Sequence, residues 1–399
     1  MGGCISDLFQ AAHHQFLRVG LSSIVALICL SGELNAQDAP WKVIEDSFSP
    51  PAEYRGEFGD YRSPLIFNDS TPVETKEDWK LRRGEILKQW HDSMGAWPPL
   101  ITDPEVEVLD VTQRENFQQL RIRFSWTPKK RSIAYLLIPE GKRPFPAVLV
   151  LYYEPKTGIG LGVAESDYAL QLTRRGFVTL SMGITEAEDP YKPEDFFAYY
   201  PSVENAEVQP MSILAYDAAN AWYVLANRPE VDSQRIGVVG HSFGGKWALF
   251  ASCLFDKFAC AAWSDPGIVF DSTKPLVNYW HPWYLGYFPP PWPERSTMTA
   301  EFPAKGAYPK LVASGRDLHE LHALMAPRPF FVAGGEADPP SRWKALNHSI
   351  AVNRLLGFEN RVGMANRPKH SPDQESNGKI YAFFEHFLKE RDDGAQRNK

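Results

Sequence analysis

The sequence RIGVVGHSFGGKWALF, residues 235–250, places polar residues between two apolar runs. The first run predicts a buried strand and the second a helix, and GHSFG, residues 240–244, joins them as a G-x-S-x-G motif. The glycines allow a strained turn that exposes the hydroxyl of Ser242, while the helix N-terminus directs N–H groups at developing negative charge. This context predicts a nucleophilic serine, the alternative being an ordinary serine helix cap.

A serine hydroxyl needs a base, and chains with this turn place the acid and then the histidine after the serine. The segment RPKHSPDQ places His370 in a loop just before the last predicted helix, where the base is expected. His281, in an aromatic-rich stretch, is its rival, because most of the other histidines fall on predicted helices or near their ends.

The carboxylate that orients the histidine is expected directly after a strand. RPFFVAGGEAD, residues 328–338, reads as an apolar strand and a loop, which makes Asp338 the expected acid and Glu336 its close competitor. Asp265 in AWSDPG follows another predicted strand and is the alternative acid, although the Pro-Gly after it also fits a turn.

Two backbone N–H groups are expected to hold the oxyanion of an acyl-transfer reaction. One belongs to Phe243, and the other comes from the loop after the strand AVLVLYY, at Tyr153 or Glu154. Cys and His show no metal-site spacing, so neither a metal nor another cofactor is expected.

The surrounding pattern predicts one α/β domain over residues 105–392. EVEVLDV, LRIRFSW and SIAYLLIP read as antiparallel strands, and from AVLVLYY onward helices and strands alternate. This order predicts a mostly parallel, doubly wound sheet with an antiparallel N-terminal edge. The aromatic-rich stretch NYWHPWYLGYFPPPWPE, residues 278–294, is expected as a lid inserted before the acid-bearing strand.

Residues 1–36 have the pattern of a cleaved signal peptide. Arg18 precedes the apolar run VGLSSIVALICL, and small or permissive residues precede Gln37. The run is shorter than the ~20 residues that span a bilayer, so export without a lasting membrane anchor is expected. Residues 37–104 are expected as an extension, irregular to about residue 74 and then an amphipathic helix over 76–95.

Composition narrows the functional classes. The 399 residues are 44% hydrophobic, which is enough for a large core. The formal charge of −7 and the lack of a long basic run argue against nucleic acid as a partner. After the signal two cysteines remain, Cys253 and Cys260, and their apolar surroundings predict buried thiols.

These segments resemble the α/β-hydrolase superfamily, and more narrowly its secreted carbohydrate esterases. GHSFGGK and DLHELHALMAPRPFFVAGGEAD are similar to the corresponding segments of glucuronoyl esterases and acetyl-xylan-esterase-like hydrolases, and the resemblance spans about residues 130–390. It implies hydrolysis of a polysaccharide ester in two acyl-transfer steps. It also implies that Lys246 contacts a sugar hydroxyl or carboxylate, a snorkelling helix lysine being the alternative. Glucuronoyl esterases place an arginine after the nucleophile, whereas this chain has Phe243.

The aromatic insertion supplies candidate substrate contacts. Trp280, Trp283 and Tyr284 are expected either to stack on sugar faces or to pack the core of the lid itself. A prolyl-oligopeptidase-like or dienelactone-hydrolase-like serine hydrolase is a competing interpretation, but the segment before residue 130 is too short for a propeller. A non-catalytic carbohydrate-binding relic is an alternative of another class, against which the intact catalytic residues count.

Overall fold

The computed structural model describes residues 38–128, 130–184, 208–288 and 298–389. These residues contain one sheet of nine strands in the order β1-β2-β3-β5-β4-β6-β7-β8-β9. The strands are β1 Val106–Arg114, β2 Phe117–Thr127, β3 Lys130–Pro139, β4 Phe145–Leu151, β5 Val178–Met182, β6 Val231–His241, β7 Cys260–Ser264, β8 Phe330–Gly334 and β9 Val362–Asn366.

The pairing of the strands confirms the predicted fold class. β1, β2 and β3 form an antiparallel meander, and β3 pairs antiparallel with β5. All other neighbours, from β5 through β4 to β9, are parallel. The chain crosses from β4 to β5 in one direction and from β6 to β7 in the other, so the strand order reverses between β4 and β6. In open α/β sheets, ligands bind in the crevice at such a reversal.

Helices cover both faces of the sheet. The described helices are α1 Asp38–Ile44, α2 Lys76–Met94, α3 Pro155–Gly158, α4 Tyr168–Arg174, α5 Pro210–Ala226, α6 Phe243–Leu254, α7 Tyr308–Ala313, α8 His319–Ala323, α9 Trp343–Leu356 and α10 Gln374–Phe384. One hydrophobic cluster joins the sheet to α2, α5, α6, α8 and α9, and a second joins the opposite face to α1, α4 and α10. None of these helices combines the length and hydropathy needed to cross a bilayer.

The expectation of an irregular segment from residue 37 to 74 is wrong at its start. There α1 is followed by a 3-10 helix, Glu45–Phe48. The ring of Phe48 packs against Phe331 of β8 and Phe383 of α10, at centroid distances of 6.2 and 6.4 Å. Packing on the sheet therefore stabilises helical turns too short to show periodicity in the sequence. The predicted signal peptide lies outside the described residues.

The predicted amphipathic helix is present as α2, and it belongs to the main core. Thr75 caps it: the Thr75 hydroxyl accepts from the N–H of Asp78, and the Asp78 carboxylate accepts from the N–H of Thr75, both at 3.0 Å. Trp90 is fully buried and its ring lies 6.1 Å from that of Phe250 on α6. The extension over residues 37–104 thus shares one core with the sheet.

The two predicted buried thiols are confirmed. Cys253 and Cys260 are free and fully buried. Burial raises the pKa of Cys253 to about 12 and that of Cys260 well above its usual value. Neither thiol is therefore a nucleophile near neutral pH.

Truncating Trp90 tests whether the extension and the sheet form one folding unit. We expect Trp90→Ala to lower the free energy of unfolding by about 3–5 kcal/mol, because it leaves a cavity between α2 and α6. The measurement is unfolding by urea, monitored by circular dichroism. Leu81→Ala is the control on the same helix: Leu81 is 67% exposed, and its loss should cost less than about 0.5 kcal/mol. A Trp90→Ala protein as stable as Leu81→Ala would show that the extension folds separately.

Candidate active site

Ser242 lies in a strained turn between β6 and α6. Its backbone has φ 55° and ψ −113°, a conformation that non-glycine residues seldom adopt. A Cβ atom on Gly240 would lie 2.1 Å from the carbonyl oxygen of Gly244, and one on Gly244 would lie 1.9 Å from that of Leu151. Both glycines of the motif are therefore required by close backbone packing. The N–H of Ser242 donates to the carbonyl of Ser264 on β7 at 2.8 Å, which holds the turn against the sheet.

His370 lies beside Ser242, in the loop after β9. Its Nε2 is 2.8 Å from Ser242 Oγ, and its Nδ1 is 2.6 Å from Asp265 Oδ2. A carboxylate only accepts, so Nδ1 carries the proton and Nε2 accepts from the serine hydroxyl. The structure thus brings the expected serine and histidine together, with the alternative acid on the far side of the imidazole.

Arg367 fixes the backbone on which His370 is mounted. Its guanidinium donates to the carbonyls of His370 at 2.6 Å, Ser371 at 2.8 Å and Ala333 at 2.8 Å. Three carbonyls on two segments are therefore clamped by one buried side chain, which positions the histidine loop over the end of β8. The sequence analysis missed this residue, although an arginine three residues before a loop histidine is visible in RPKHSP.

Asp265 follows β7 and is surrounded by donors. Besides His370, its carboxylate accepts from the N–H groups of Gly335 at 2.6 Å, Asp338 at 2.9 Å and Ala337 at 3.3 Å. Burial raises the pKa of Asp265, but its hydrogen bond to His370 and the nearby charges outweigh burial and hold the pKa below its usual value. Asp265 is therefore ionised where an imidazolium on His370 would need a counter-charge.

The expectation that Asp338 orients His370 is wrong. The turn after β8 folds back toward β7, and the Asp338 carboxylate instead accepts from the N–H groups of Gly267 at 2.8 Å and Ile268 at 2.6 Å. Burial, followed by the charge of Asp265, raises the pKa of Asp338 to about 6. The aromatic insertion consequently follows the strand that carries the acid in contact with His370, and does not precede it as expected.

The other candidates for the acid and the base lie elsewhere. The side chain of Glu336 is exposed, and its carbonyl accepts from Lys274 Nζ at 2.9 Å. His281 is buried in the insertion, where its Nδ1 faces the N–H of Trp283 at 3.4 Å. The histidine that accepts from the Ser242 hydroxyl is His370.

His241, next to the serine, packs against the imidazole of His370 with ring centroids 4.8 Å apart. Its Nδ1 lies 3.2 Å from both the carbonyl and the hydroxyl oxygen of Ser264. Burial, and next the charge of His370, lowers the pKa of His241 to about 3. The residue is therefore a neutral packing partner for His370 over the physiological pH range.

The two residues expected to supply oxyanion N–H groups lie side by side. Phe243 is the first residue of α6, and its ring stacks on that of Tyr153 with centroids 4.7 Å apart. Tyr153 follows β4, so the pair occupies the reversal of strand order between β4 and β6. The Glu154 carboxylate accepts from the hydroxyl of Thr157.

Lys246 is buried and directed at the backbone. It is 2% exposed, and its ammonium donates to the carbonyls of Pro266 and Leu276, the latter at 2.9 Å. Its Nζ also lies 4.7 Å from the ring centroid of Tyr279. The implied sugar contact is corrected by this burial: the lysine holds the segment between β7 and the insertion against α6.

The three insertion aromatics, which were expected either to stack on sugars or to pack the core of the lid, are buried as well. Trp280, Trp283 and Tyr284 are 6%, 8% and 3% exposed and belong to the main hydrophobic cluster. The ring of Tyr284 lies 6.0 Å from that of Phe243. These three residues therefore fill the core of the insertion and do not present ring faces to solvent. The last part of the insertion, from residue 289, lies outside the described residues.

Comparisons with known proteins bear on this arrangement. No family model matches the sequence. The chain is similar to a 4-O-methyl-glucuronoyl methylesterase of Schizophyllum commune, with 26% identity over 268 residues, 65% of this chain and 61% of that protein. It is also similar to 4-O-methyl-glucuronoyl methylesterase 1 of Phanerochaete chrysosporium, with 25% identity over 351 residues, 82% of this chain and 69% of that protein. The match thus spans less than two thirds of the Schizophyllum protein.

A solved structure decides the fold. The glucuronoyl esterase from Solibacter usitatus superposes with a TM-score of 0.64 at 19% identity, covering 82% of this chain and 97% of that one. The chain has the α/β-hydrolase fold. The predicted resemblance to glucuronoyl esterases is confirmed by the sequence relatives and by this structure.

Proposed function

We propose that the protein is an exported serine hydrolase that cleaves a carboxylic ester carried by a polysaccharide. The observation that carries the proposal is the hydrogen-bonded chain from Ser242 through His370 to Asp265, with links of 2.8 and 2.6 Å. It lies at the carboxyl end of the parallel strands, beside a pair of candidate oxyanion donors. The names of the similar proteins support ester hydrolysis as the activity.

In the first step, His370 Nε2 takes the proton of Ser242 Oγ as that oxygen attacks the ester carbonyl. The imidazolium then gives the proton to the departing alcohol oxygen, and the acyl group stays on Ser242. In the second step, Nε2 takes a proton from water, whose oxygen attacks the acyl-enzyme, and the proton returns to Ser242. Asp265 keeps the proton on Nδ1 and stabilises the imidazolium in both steps.

The charge that develops on the carbonyl oxygen is assigned to two backbone N–H groups, those of Phe243 and Tyr153. The N-terminus of α6 adds its dipole to this site. The Phe243 side chain cannot donate a hydrogen bond, so oxyanion stabilisation rests on the backbone. An arginine at this position, as the glucuronoyl esterases have, would add a side-chain donor.

The substrate class follows from two considerations. The names of the relatives favour an ester of a glucuronoyl group as the first candidate. Two features of this chain favour a smaller, uncharged acyl group such as acetyl as the second: Phe243 is apolar, and the ammonium of Lys246 is buried against two carbonyls. Both candidates are carboxylic esters on a polysaccharide and use the same two steps.

Replacing the nucleophile tests the activity. We expect Ser242→Ala to reduce hydrolysis of the methyl ester of 4-O-methylglucuronate and of acetylated xylan to background, because no covalent intermediate can form. The melting temperature should change little, since one hydroxyl contributes little to the core. The measurement is initial rate on both substrates. Substantial residual turnover by Ser242→Ala would contradict the assignment of Ser242 as the nucleophile. An unmodified protein that hydrolyses neither ester would contradict the proposed function.

Substituting Asp265 and Asp338 should affect different properties, turnover for the first and stability for the second. We expect Asp265→Asn to lower kcat by roughly 10⁴-fold, because the amide favours the wrong tautomer of His370. Asp338→Asn should mainly lower the melting temperature. Each oxygen of the Asp338 carboxylate accepts from one N–H, and in asparagine an NH2 group would replace one of these two acceptors. Turnover is measured per folded molecule for both variants. A larger fall in kcat for Asp338→Asn would return the orienting role to Asp338.

A further inference from the structure

A polar pocket of about 420 Å³ lies between the loop over residues 160–167, α4 and the first turns of α10. The loop lies in the connection after β4 that also contains the proposed oxyanion residue Tyr153, and α10 begins four residues after His370. We propose that this pocket binds a neutral sugar residue of the polysaccharide whose ester is cleaved at Ser242. The inference rests on the proposed function only for naming the polysaccharide as the ligand.

The pocket is held open by contacts between its two walls. Asn377 of α10 is 1% exposed, and its amide donates to the carbonyl of Glu165 at 2.8 Å. On the loop side, Thr157 Oγ1 accepts from the N–H of Val163 at 3.2 Å. A Cβ atom on Gly162 would lie 2.1 Å from the same oxygen. The walls are therefore fixed before a ligand arrives, which reduces the entropic cost of binding.

One polar atom of Asn377 is buried behind the pocket wall. Asn377 Oδ1 is buried without a hydrogen-bond partner among the described residues, although its Nδ2 is used. Buried polar atoms are as a rule hydrogen-bonded. Because this atom is closed off from the pocket, the case for a ligand rests on the side chains that line the pocket surface.

The lining supplies both acceptors and donors, as hydroxyl groups require. Glu165 and Asp167 provide carboxylates, Gln171 an amide and Arg175 a guanidinium, and all four are partly buried. Asp167 Oδ2 accepts from Gln171 Nε2 at 2.8 Å, and the Arg175 guanidinium lies 4.2 Å from the ring centroid of Tyr381. Within the described residues no ion pair joins Arg175 to either carboxylate. Each sugar hydroxyl donates and accepts, so vicinal hydroxyls fit this mixed set.

The charge of the pocket narrows the class of ligand. The lining contains two carboxylates and one guanidinium, so its net negative charge disfavours an anionic ligand such as a uronate or a phosphate. No group of three or more possible ligands suited to a metal ion occurs in the described chain. Val163, in the lining, is 52% exposed, and such an apolar group suits the C–H face of a sugar ring. A neutral, polyhydroxylated ligand satisfies all three conditions.

Gly378 offers a way to fill the pocket. It lies on α10 in the pocket wall, and a Cβ atom built on it meets no atom within 4 Å. Gly378→Phe would therefore place a ring in open space inside the pocket. Gly84 on α2 is the matched control, because it is also a helical glycine with open space around its Cβ position. Gly84→Phe adds the same ring far from the pocket.

Binding is measured by isothermal titration calorimetry in the Ser242→Ala background, with xylohexaose and cellohexaose as neutral probes and oligogalacturonate as the anionic probe. We expect at least one neutral probe to bind, Gly378→Phe to weaken it at least about tenfold and Gly84→Phe to leave it unchanged. If Gly378→Phe does not fold, judged by circular dichroism, Glu165→Gln replaces it and should weaken the same probe severalfold. Absence of neutral-probe binding, binding unaffected by the pocket variant, or preference for oligogalacturonate would overturn the proposal.

The catalytic consequence is measured on the active protein. For Gly378→Phe we expect the ratio of kcat/KM on acetylated xylan to kcat/KM on 4-nitrophenyl acetate to fall, mainly through KM on the polymer. Gly84→Phe should keep the ratio of the unmodified protein, and an unchanged ratio in Gly378→Phe would contradict a role for the pocket in polymer binding. A protein inactive on every ester that still binds xylohexaose in this pocket would refute the proposed function and keep the inference.

Discussion

The strained turn at Ser242 is the constraint on which the rest of the site depends. A positive φ at a non-glycine residue persists only where its surroundings determine it. Here they are backbone: the Gly244 position packs against the carbonyl of Leu151 at the end of β4, and the N–H of Ser242 is held by Ser264 of β7. Three adjacent parallel strands thus fix one hydroxyl, and the helix N-terminus behind it follows from the same geometry. The same contact places the loop after β4 against the start of α6, where the two proposed oxyanion donors lie.

The second organising interaction is the exchange of hydrogen bonds between two buried aspartates and each other's loops. Asp265, after β7, accepts from the turn after β8, while Asp338, in that turn, accepts from the backbone just past Asp265. Burial, and next the charge of Asp265, raise the pKa of Asp338 to about 6, whereas the hydrogen bond to His370 and nearby charges hold the pKa of Asp265 below its usual value. Asp265, whose pKa is lowered, is the carboxylate that contacts His370. Arg367 completes the unit by clamping the histidine loop to β8.

Much of this could be predicted from the sequence, because it depends on local patterns. The strained turn at Ser242 requires the two glycines of its motif, and His370 lies in the loop before the last predicted helix, as expected for the base. The alternation of helices and strands predicts a parallel sheet. The acid could not be predicted, because Asp265 and Asp338 both follow neighbouring strands, and only the direction of each loop separates them. The roles of Lys246 and of the insertion aromatics stayed undecided in the sequence for a related reason. A long cation on a helix, or a tryptophan in a proline-rich stretch, has the same sequence pattern whether it points into a cleft or into the core.

The claim that Ser242 is activated by His370 is tested most directly by covalent labelling. A fluorophosphonate reacts with an activated serine by losing fluoride and leaving a phosphonylated oxygen. Trypsin should release Ser242 on the peptide Ile236–Lys246. Peptide mass spectrometry of the folded protein should find the phosphonyl group on that peptide, at Ser242, and heat-denatured protein should remain unlabelled. A folded protein that stays unlabelled, or is labelled at a serine outside that peptide, would contradict the account.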